Sequence, residues 1–314
     1  MKNTAISTFK LFEMFPDQET ARVYIEKRRW KDGVVCPFCQ KKENITTRKD
    51  GYYRCNVCVE TFTVRTGTLF ERSHVPLHKW LYAMYLLVTA RKGISSMQLA
   101  KEIGVTQKTA WFLLGRIREA CGNDFSQLSG IVEIDETYIG GLEKNKHADK
   151  KIQHNQGKST MTKTPVLGMR ERGGKTRALP LTSVSSITLA NAVTWNVKEG
   201  STINTDENSG YDAMNHIYKH ESINHSHKEY VRGNVTTNSI ESVWAVMKRG
   251  LNGVYHHASR KHLGRYVNEF TFRLNDGKVE NTSMERIDSL LQRSNGKRLT
   301  YDDLTGNNEE KEAS

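Results

Sequence analysis

The sequence predicts a multidomain α/β protein: an N-terminal zinc ribbon, a helical region of helix-turn-helix type, and a core of mixed strands and helices. Three observations predict it. Four cysteines stand as two C-x-x-C pairs, Cys36-Pro-Phe-Cys39 and Cys55-Asn-Val-Cys58. Two amphipathic stretches meet at Gly104-Val105-Thr106. Beyond residue 130 alternating strand patterns give way to helical ones. The expected boundaries are an N-terminal helical segment (1–32), the ribbon (33–70), a helix-turn-helix-like region (75–122), the α/β core (130–280) and a polar tail (281–314).

The N-terminal segment holds a helix from Asp17 to Trp30, capped by Asp17, with a basic last turn that suits the negative helix end. Fifteen residues, 40 through 54, separate the two cysteine pairs. Each pair presents two thiolates from one turn, and four thiolates close a tetrahedron around Zn²⁺, leaving no position for catalysis. Strands at Gly51–Cys55 and Thr61–Arg65 complete a ribbon too small to bury a sufficient core without its metal. Two disulfides or a redox pair are the alternatives, and a cytosolic chain disfavours both. Cys121 reads as a small buried residue.

From Pro76 the pattern is helical, with Trp80, Ala83, Met84 and Leu87 inward. Ser95 caps a short helix (Met97 to Ile103), and Thr106 caps a longer one from Gln107 to Ala120. Lys108 and Arg116, off the apolar stripe of the second helix, are its candidate DNA contacts; an ordinary helical hairpin is the plain alternative. The charge favours DNA. The 314 residues carry 47 Lys+Arg against 35 Asp+Glu, a formal +12, which calls for a polyanionic partner. The longest apolar run, Trp80 to Ala90, is too short to span a bilayer, and the N-terminus lacks a signal-peptide core. A cytoplasmic location without membrane partners is expected.

In the core, Ile131 to Gly141 alternates as a strand, with Glu133, Asp135 and Thr137 on one face and Val132 and Ile134 on the other. On the same period Glu136 points away from Asp135, which counts against it as a co-ligand. Lys144 to Lys163 reads as a mobile basic arm. Strands at Pro165–Met169 and Thr176–Val184, a helix at Thr188–Val197 and a strand ending at Asp206 follow. A short helix begins at Gly210, and further helices cover Thr236–Arg249 and Arg260–Leu274. In the first of these two, Ile240, Val243, Trp244 and Met247 form the apolar stripe, while Glu241 and Lys248 project together two turns apart. Asp135, Asp206 and Glu241 gathered together would repel one another unless hard cations such as Mg²⁺ or Mn²⁺ were bound. Two such ions suit phosphoryl displacement, with Asp135 bridging both, Asp206 and Glu241 each taking one, and Lys248 and its neighbour Arg249 meeting the DNA backbone. The alternatives are a turn aspartate at 206 and a capping box, Asn238-x-x-Glu241, on a solvated face.

The order of these pieces resembles bacterial insertion-sequence transposases of the DDE type, in the group with a zinc ribbon before an RNase-H-like (ISXO2-like) core. The matching motifs are the cysteine pairs, Ile134-Asp-Glu-Thr-Tyr-Ile-Gly-Gly141, Thr205-Asp-Glu207 with Tyr211, Thr237-Asn-Ser-Ile-Glu-Ser-x-Trp244 through Gly250, Gly253-Val-Tyr-His-His257, and Lys261-His-Leu263 with Tyr266 and Glu269-Phe-Thr-Phe-Arg273. They span about residues 15 to 280. The resemblance implies Asp135, Asp206 and Glu241 as catalytic triad, with the last two 35 positions apart. It implies two catalytic Mg²⁺ or Mn²⁺ ions, one structural Zn²⁺, binding of terminal inverted repeats and target DNA, and 3′-end cleavage with strand transfer. It further implies a homodimer or larger assembly on DNA in a bacterial nucleoid. Related proteins carry either an acid or Asn at the third position, which makes Asn238 a second candidate there. Where they show His-Thr-Asn, this chain has Thr236-Thr-Asn238. A DNA-binding regulator descended from a transposase, without catalysis, is the other reading.

Overall fold

The computed structural model describes residues 5–122, 126–141, 147, 149, 162–277 and 280–305. They form two compact units, Met1–Asn123 with Asp276–Ser314, and Asp124–Asn275.

The first unit opens with α1 (Thr8–Met14) and α2 (Gln18–Arg29). Asp17 caps α2 as expected, its Oδ1 accepting the Thr20 N–H at 2.8 Å. The ribbon is an antiparallel sheet of β1 (Ile45–Thr47), β2 (Tyr52–Cys55) and β3 (Thr61–Thr63), with β2 central. Trp30 meets Tyr53 edge-on at 5.0 Å between centroids, and Tyr53 stacks on Phe62 at 5.6 Å. Arg29 ties helix to ribbon by donating to the Val64 and Thr66 carbonyls, each at 2.7 Å. Three helices follow: α3 (Leu77–Thr89), α4 (Ser96–Ile103) and α5 (Gln107–Cys121). Trp80, Ala83, Met84 and Leu87 are buried as the stripe predicts. Ser95 and Thr106 accept from the third backbone N–H beyond them, and Gly104 turns the chain at φ +63°, a left-handed conformation glycine adopts without penalty.

The second unit is a five-stranded mixed sheet with helices on both faces. Its strands are β4 (Ile131–Ile139), β5 (Thr164–Glu171), β6 (Thr176–Pro180), β7 (Thr202–Thr205) and β8 (Lys219–Ser222). Their order is β6-β5-β4-β7-β8; the first three are antiparallel neighbours, while β7 runs parallel to β4 and β8 parallel to β7. This is the RNase-H-like arrangement expected. One face buries Val132, Ile134, Leu167 and Met169 under α6 (Ser186–Asn196) and the 3₁₀ turn Ser209–Met214. The other buries Val166 and Ala178 under α7 (Asn238–Gly250) and α8 (Arg260–Asn275). The edge strand β8 was not anticipated, because Lys219-His-Glu-Ser222 is polar throughout. Most of the basic segment Lys144–Lys163 lies outside the described residues.

The core ends at Asn275 rather than 280, and the expected polar tail is corrected. From Asp276 the chain belongs to the first unit and forms α9 (Ser283–Arg293) and α10 (Tyr301–Thr305). Ile287, Leu290 and Leu291 of α9 are buried, and a capping box joins Thr282 to Glu285. Apolar residues at i, i+3 and i+4 need a partner surface, and α2, α3 and α5 supply it. Residues 306–314, with Glu309, Glu310 and Glu312, lie outside the described residues.

Candidate active site

The parallel pairing of β4 with β7 sets Glu133 opposite Asn204. Continued by two residues, that register lays Asp206, just past the end of β7, beside Asp135. Carboxylate oxygens of Asp135, Glu136 and Asp206 all lie within 4.8 Å of one another. The expectation that Glu136 stays apart is therefore corrected. Alternation sends its Cβ to the α6 face, but a glutamate near a strand end has the reach to bring its head group round. Asn208 fixes it there, donating from Nδ2 to Glu136 Oε1 at 3.0 Å, and the Asn208 N–H is in turn accepted by Asp206 Oδ1 at 3.1 Å.

Burial, and after it the charge of Asp206, pushes the Asp135 carboxyl up to about 6. The indole N–H of Trp244 works against that shift by donating to Asp135 Oδ2 at 2.9 Å. That bond depends on a glycine. Gly168 lies opposite Asp135 across the β4–β5 pair, and a Cβ there would overlap the Trp244 ring. The buried phenol of Tyr211 lies close to Glu136, whose charge and hydrogen bonding, after burial, hold its pKa high. Close anionic oxygens and a raised carboxyl make a donor set that fits a hard divalent cation.

Glu241 stands in the first turn of α7, outside that group of three. It is about half exposed, with His225 Nε2 at 3.6 Å and the Thr237 hydroxyl donating at 3.5 Å. Its charge adds to the rise at Asp135, after burial and Asp206. Glu207 orders the loop that carries His225, accepting the Ser226 hydroxyl at 2.6 Å and the His225 N–H at 2.9 Å. The Ser226 bond leads the effects that hold its carboxyl down at about 2. Asn238 is the first residue of α7, and its N–H is satisfied by Thr236 Oγ1 at 3.1 Å.

Glu133 anchors the start of α7, a contact that the sequence alone does not reveal. Fully buried on the α7 face, it accepts the Ser239 backbone N–H at 2.9 Å and the Ser239 hydroxyl, and pairs with Arg172 at 3.0 Å. A carboxylate on the first turn of a helix satisfies an otherwise unpaired donor and the helix dipole together. It thereby fixes where α7 begins, and hence where Trp244 and Glu241 fall. Its signal in the sequence is only that of an acid two residues before Asp135 on the same face.

Lys248 lies on α7 at the edge of a cleft of about 550 Å³, and Arg249 follows it, its Nε donating to the Ala245 carbonyl. In the first unit, Lys108 is exposed and sits 4.6 Å over the Tyr301 ring. Arg116 is not a surface cation: buried, it donates to the carbonyls of Leu69, Glu71 and Leu299 at 2.9 to 3.0 Å. Its expected DNA contact is corrected to a structural one. Sequence periodicity marked Arg116 as off the stripe, but residues 299–305 cover that side of α5. The four ribbon sulfurs lie within 4.8 Å of one another, with Cys36–Cys58 and Cys39–Cys55 each at 3.6 Å. The edge of a Zn–S₄ tetrahedron is about 3.8 Å for Zn–S bonds of about 2.3 Å, so the cluster fits zinc.

Residues 127–275 match the ISXO2-like transposase domain and residues 16–61 the transposase zinc-ribbon domain. An uncharacterized protein in transposable element ISH50 of Halobacterium salinarum is 30% identical over 271 residues, covering 82% of this chain and 91% of that protein. The chain belongs to the ISXO2-like transposases. Among solved structures, a chain of the Mos1 strand transfer complex aligns over 70% of this transposase and 79% of its own length, at 14% identity and TM-score 0.29. A chain of the simian T-cell lymphotropic virus intasome in complex with PP2A regulatory subunit B56 gamma covers 63% and 65%, at 14% identity and TM-score 0.27. Among the described residues no helix of the transposase is long and apolar enough to cross a membrane.

Proposed function

We propose that this transposase binds the terminal inverted repeats of its element, cleaves their 3′ ends in a metal-dependent reaction and joins them to target DNA. The observation that carries the reading is the Asp135–Glu136–Asp206 cluster, whose oxygens converge within 4.8 Å and whose Asp135 is pushed up to about 6. Two Mg²⁺ or Mn²⁺ ions held by Asp135, Asp206 and Glu241 would activate an attacking oxygen and stabilise the leaving one. Asp135, which accepts from the Trp244 indole at 2.9 Å, would be the carboxylate common to both ions. Asp206 lies beside it, and Glu241 approaches from α7. Lys248, two turns further along α7, meets the backbone phosphates of the bound strand, and Arg249 extends that basic edge. Both steps displace at phosphorus, so the protein's work is alignment and charge stabilisation. The ribbon, holding one Zn²⁺ through Cys36, Cys39, Cys55 and Cys58, and α5 with Lys108 supply end recognition, and the net charge of +12 supplies salt-sensitive affinity. Two ends must be held together, so the active form is a homodimer or larger assembly on DNA, acting at the bacterial nucleoid.

The test is Asp135→Asn. It should lower Mn²⁺-dependent end cleavage by about 10³-fold or more while repeat binding stays near wild type, since it removes an interaction made with the reacting centre. Retained cleavage would reject the assignment. Wild-type protein that binds ends tightly, yet neither cuts nor transfers a pre-cut strand, would indicate the DNA-binding regulator instead.

A further inference from the structure

We propose that the cleft beside the acidic cluster is a pocket for a single extrahelical nucleotide of the strand being cut. The inference rests on the reading above, that the transposase cleaves DNA at this cluster. The cleft encloses about 550 Å³, within the range of sites that take small molecules, and opens at the C-terminal end of β4. Tyr138 and Gly140 of β4 and its following turn form one side, and Lys248 at the end of α7 forms another. Lys163, His256 and His257 complete the chemistry. Among the described residues, two ammonium groups, two imidazoles and a phenol ring line it, without a carboxylate.

Such a lining selects a phosphate joined to an aromatic ring. Lysines take the phosphate as point charges, and Tyr and His faces take a base by stacking, which every base allows. A base inside a duplex has both faces covered and its edges paired, so only one swung out of the helix can stack on side chains within the cleft. Position makes that base part of the reaction. Tyr138 belongs to the cleft and also lies near the catalytic acids: burial, then the charges of Glu136, Asp206 and Asp135, raise its phenol. Lys248 shares α7 with Glu241. A strand whose phosphate rests at the acids therefore reaches the cleft within a few nucleotides.

The cleft is built, not incidental. The histidines follow a π-helical turn, Leu251–Tyr255, and His256 holds φ +58°, a conformation costly for a residue with a side chain. Tyr255 pins the turn by donating to the fully buried Glu269 at 2.6 Å, and Arg273 pairs with the same carboxylate. Gly140 lets the chain at Thr162–Lys163 lie against the strand, since a Cβ there would come to 2.7 Å from the Thr162 carbonyl oxygen.

The test uses the full-length protein with Ca²⁺, so that binding is read without cutting. Its probes are duplexes spanning the element end, with 2-aminopurine stepped through the positions on either side of the cut. One position within a few nucleotides of the cut should brighten several-fold on binding. A mismatch opposite it should tighten binding about tenfold, because a mispaired base costs less to unstack. His257→Ala, at an exposed residue and checked for an unchanged circular-dichroism spectrum, should abolish both effects while matched-duplex affinity falls less than about threefold; Tyr138→Ala, checked in the same way, should do the same. End binding without brightening at any position, or variants that weaken matched and mismatched DNA equally, would overturn the inference and leave a groove that follows the backbone. If the protein neither bound element ends nor cut them with Mn²⁺, the reading above would fall, and this inference with it.

Discussion

The transposase gathers ligands of two kinds in two different ways. The ribbon thiolates come from two C-x-x-C turns, with Cys36 and Cys58 only 22 positions apart, and their sulfurs already sit at the spacing of a closed tetrahedron. The carboxylates come from strands 71 positions apart, 206 minus 135, and from a helix that begins later still. Their cluster stays open on one side, where Glu241 faces His225 half exposed. A closed set with no free position serves as a staple; an open set under mutual repulsion serves chemistry. Removing metal should therefore unfold the first and merely relax the second.

That contrast gives the largest expected effect. Cys36→Ser with Cys39→Ser, or a strong zinc chelator, should abolish the cooperative melting of the ribbon, because structural zinc contributes about 10–16 kcal/mol in small zinc domains. Tyr53 and Phe62 would lose their stacking and β2 its protection, read by amide exchange. Asp206→Asn, in contrast, should leave amide protection of the second unit unchanged. A ribbon that keeps its protection without metal would break the comparison.

A middle-sized effect tests what holds the open cluster in register. Glu133→Gln keeps the shape but weakens the anchor for Ser239 and Arg172 at the start of α7. Groups that orient ligands typically cost 10–100-fold in metal affinity or activity when changed, and about that loss is expected in Mn²⁺-dependent cleavage, with end binding retained. Gly168→Ala should act in the same direction by displacing Trp244 from Asp135. Cleavage unchanged in both variants would mean that the position of α7 does not matter to the site.

The two regions also differ in how far they were legible. The cysteine spacing names its metal, its closure and its place, because all four ligands are local. Asp135 and Asp206 were legible through strand alternation and motif, but which oxygens meet was not. Alternation describes Cβ directions, whereas Glu136 acts through a longer side chain held by Asn208. Glu133 is legible only as one more acid on the Asp135 face, since its partner Ser239 lies 106 positions away. Arg116 looked exposed because the segment that covers it, near Leu299, lies 183 positions downstream. The α9 helix was legible and missed: Thr282-x-x-Glu285 and the spacing of Ile287, Leu290 and Leu291 announce it, within a stretch whose polar composition suggested a tail. β8 carries no such pattern.

The smallest effect concerns charge in the open cluster. Asp135 titrates at about 6 in the fold against 3.8 for an ordinary aspartate, chiefly through burial and then Asp206. Below about pH 4 the group is neutral in both folded and unfolded chains. Between about 4 and 6 the unfolded chain has released its proton while the folded one keeps it, so this group's contribution to stability falls as pH rises; above 6 it stays low. Asp135→Asn lacks the titration yet keeps an acceptor for Trp244. In buffer without added Mg²⁺ or Mn²⁺, its melting temperature should gain on wild type across that window and hold the gain above it. Acid loss at the ribbon is common to both proteins and cancels in the difference. A shift of about two units corresponds to at most about 3 kcal/mol, and partial solvent access reduces it to the order of 1–2 kcal/mol, a few degrees in Tm. Adding Mn²⁺ above pH 6 should reverse the order, because only wild type has the anion that the cation relieves. Parallel melting curves at every pH, with and without Mn²⁺, would show a cluster under no charge pressure and so no longer the counterpart of the thiolates.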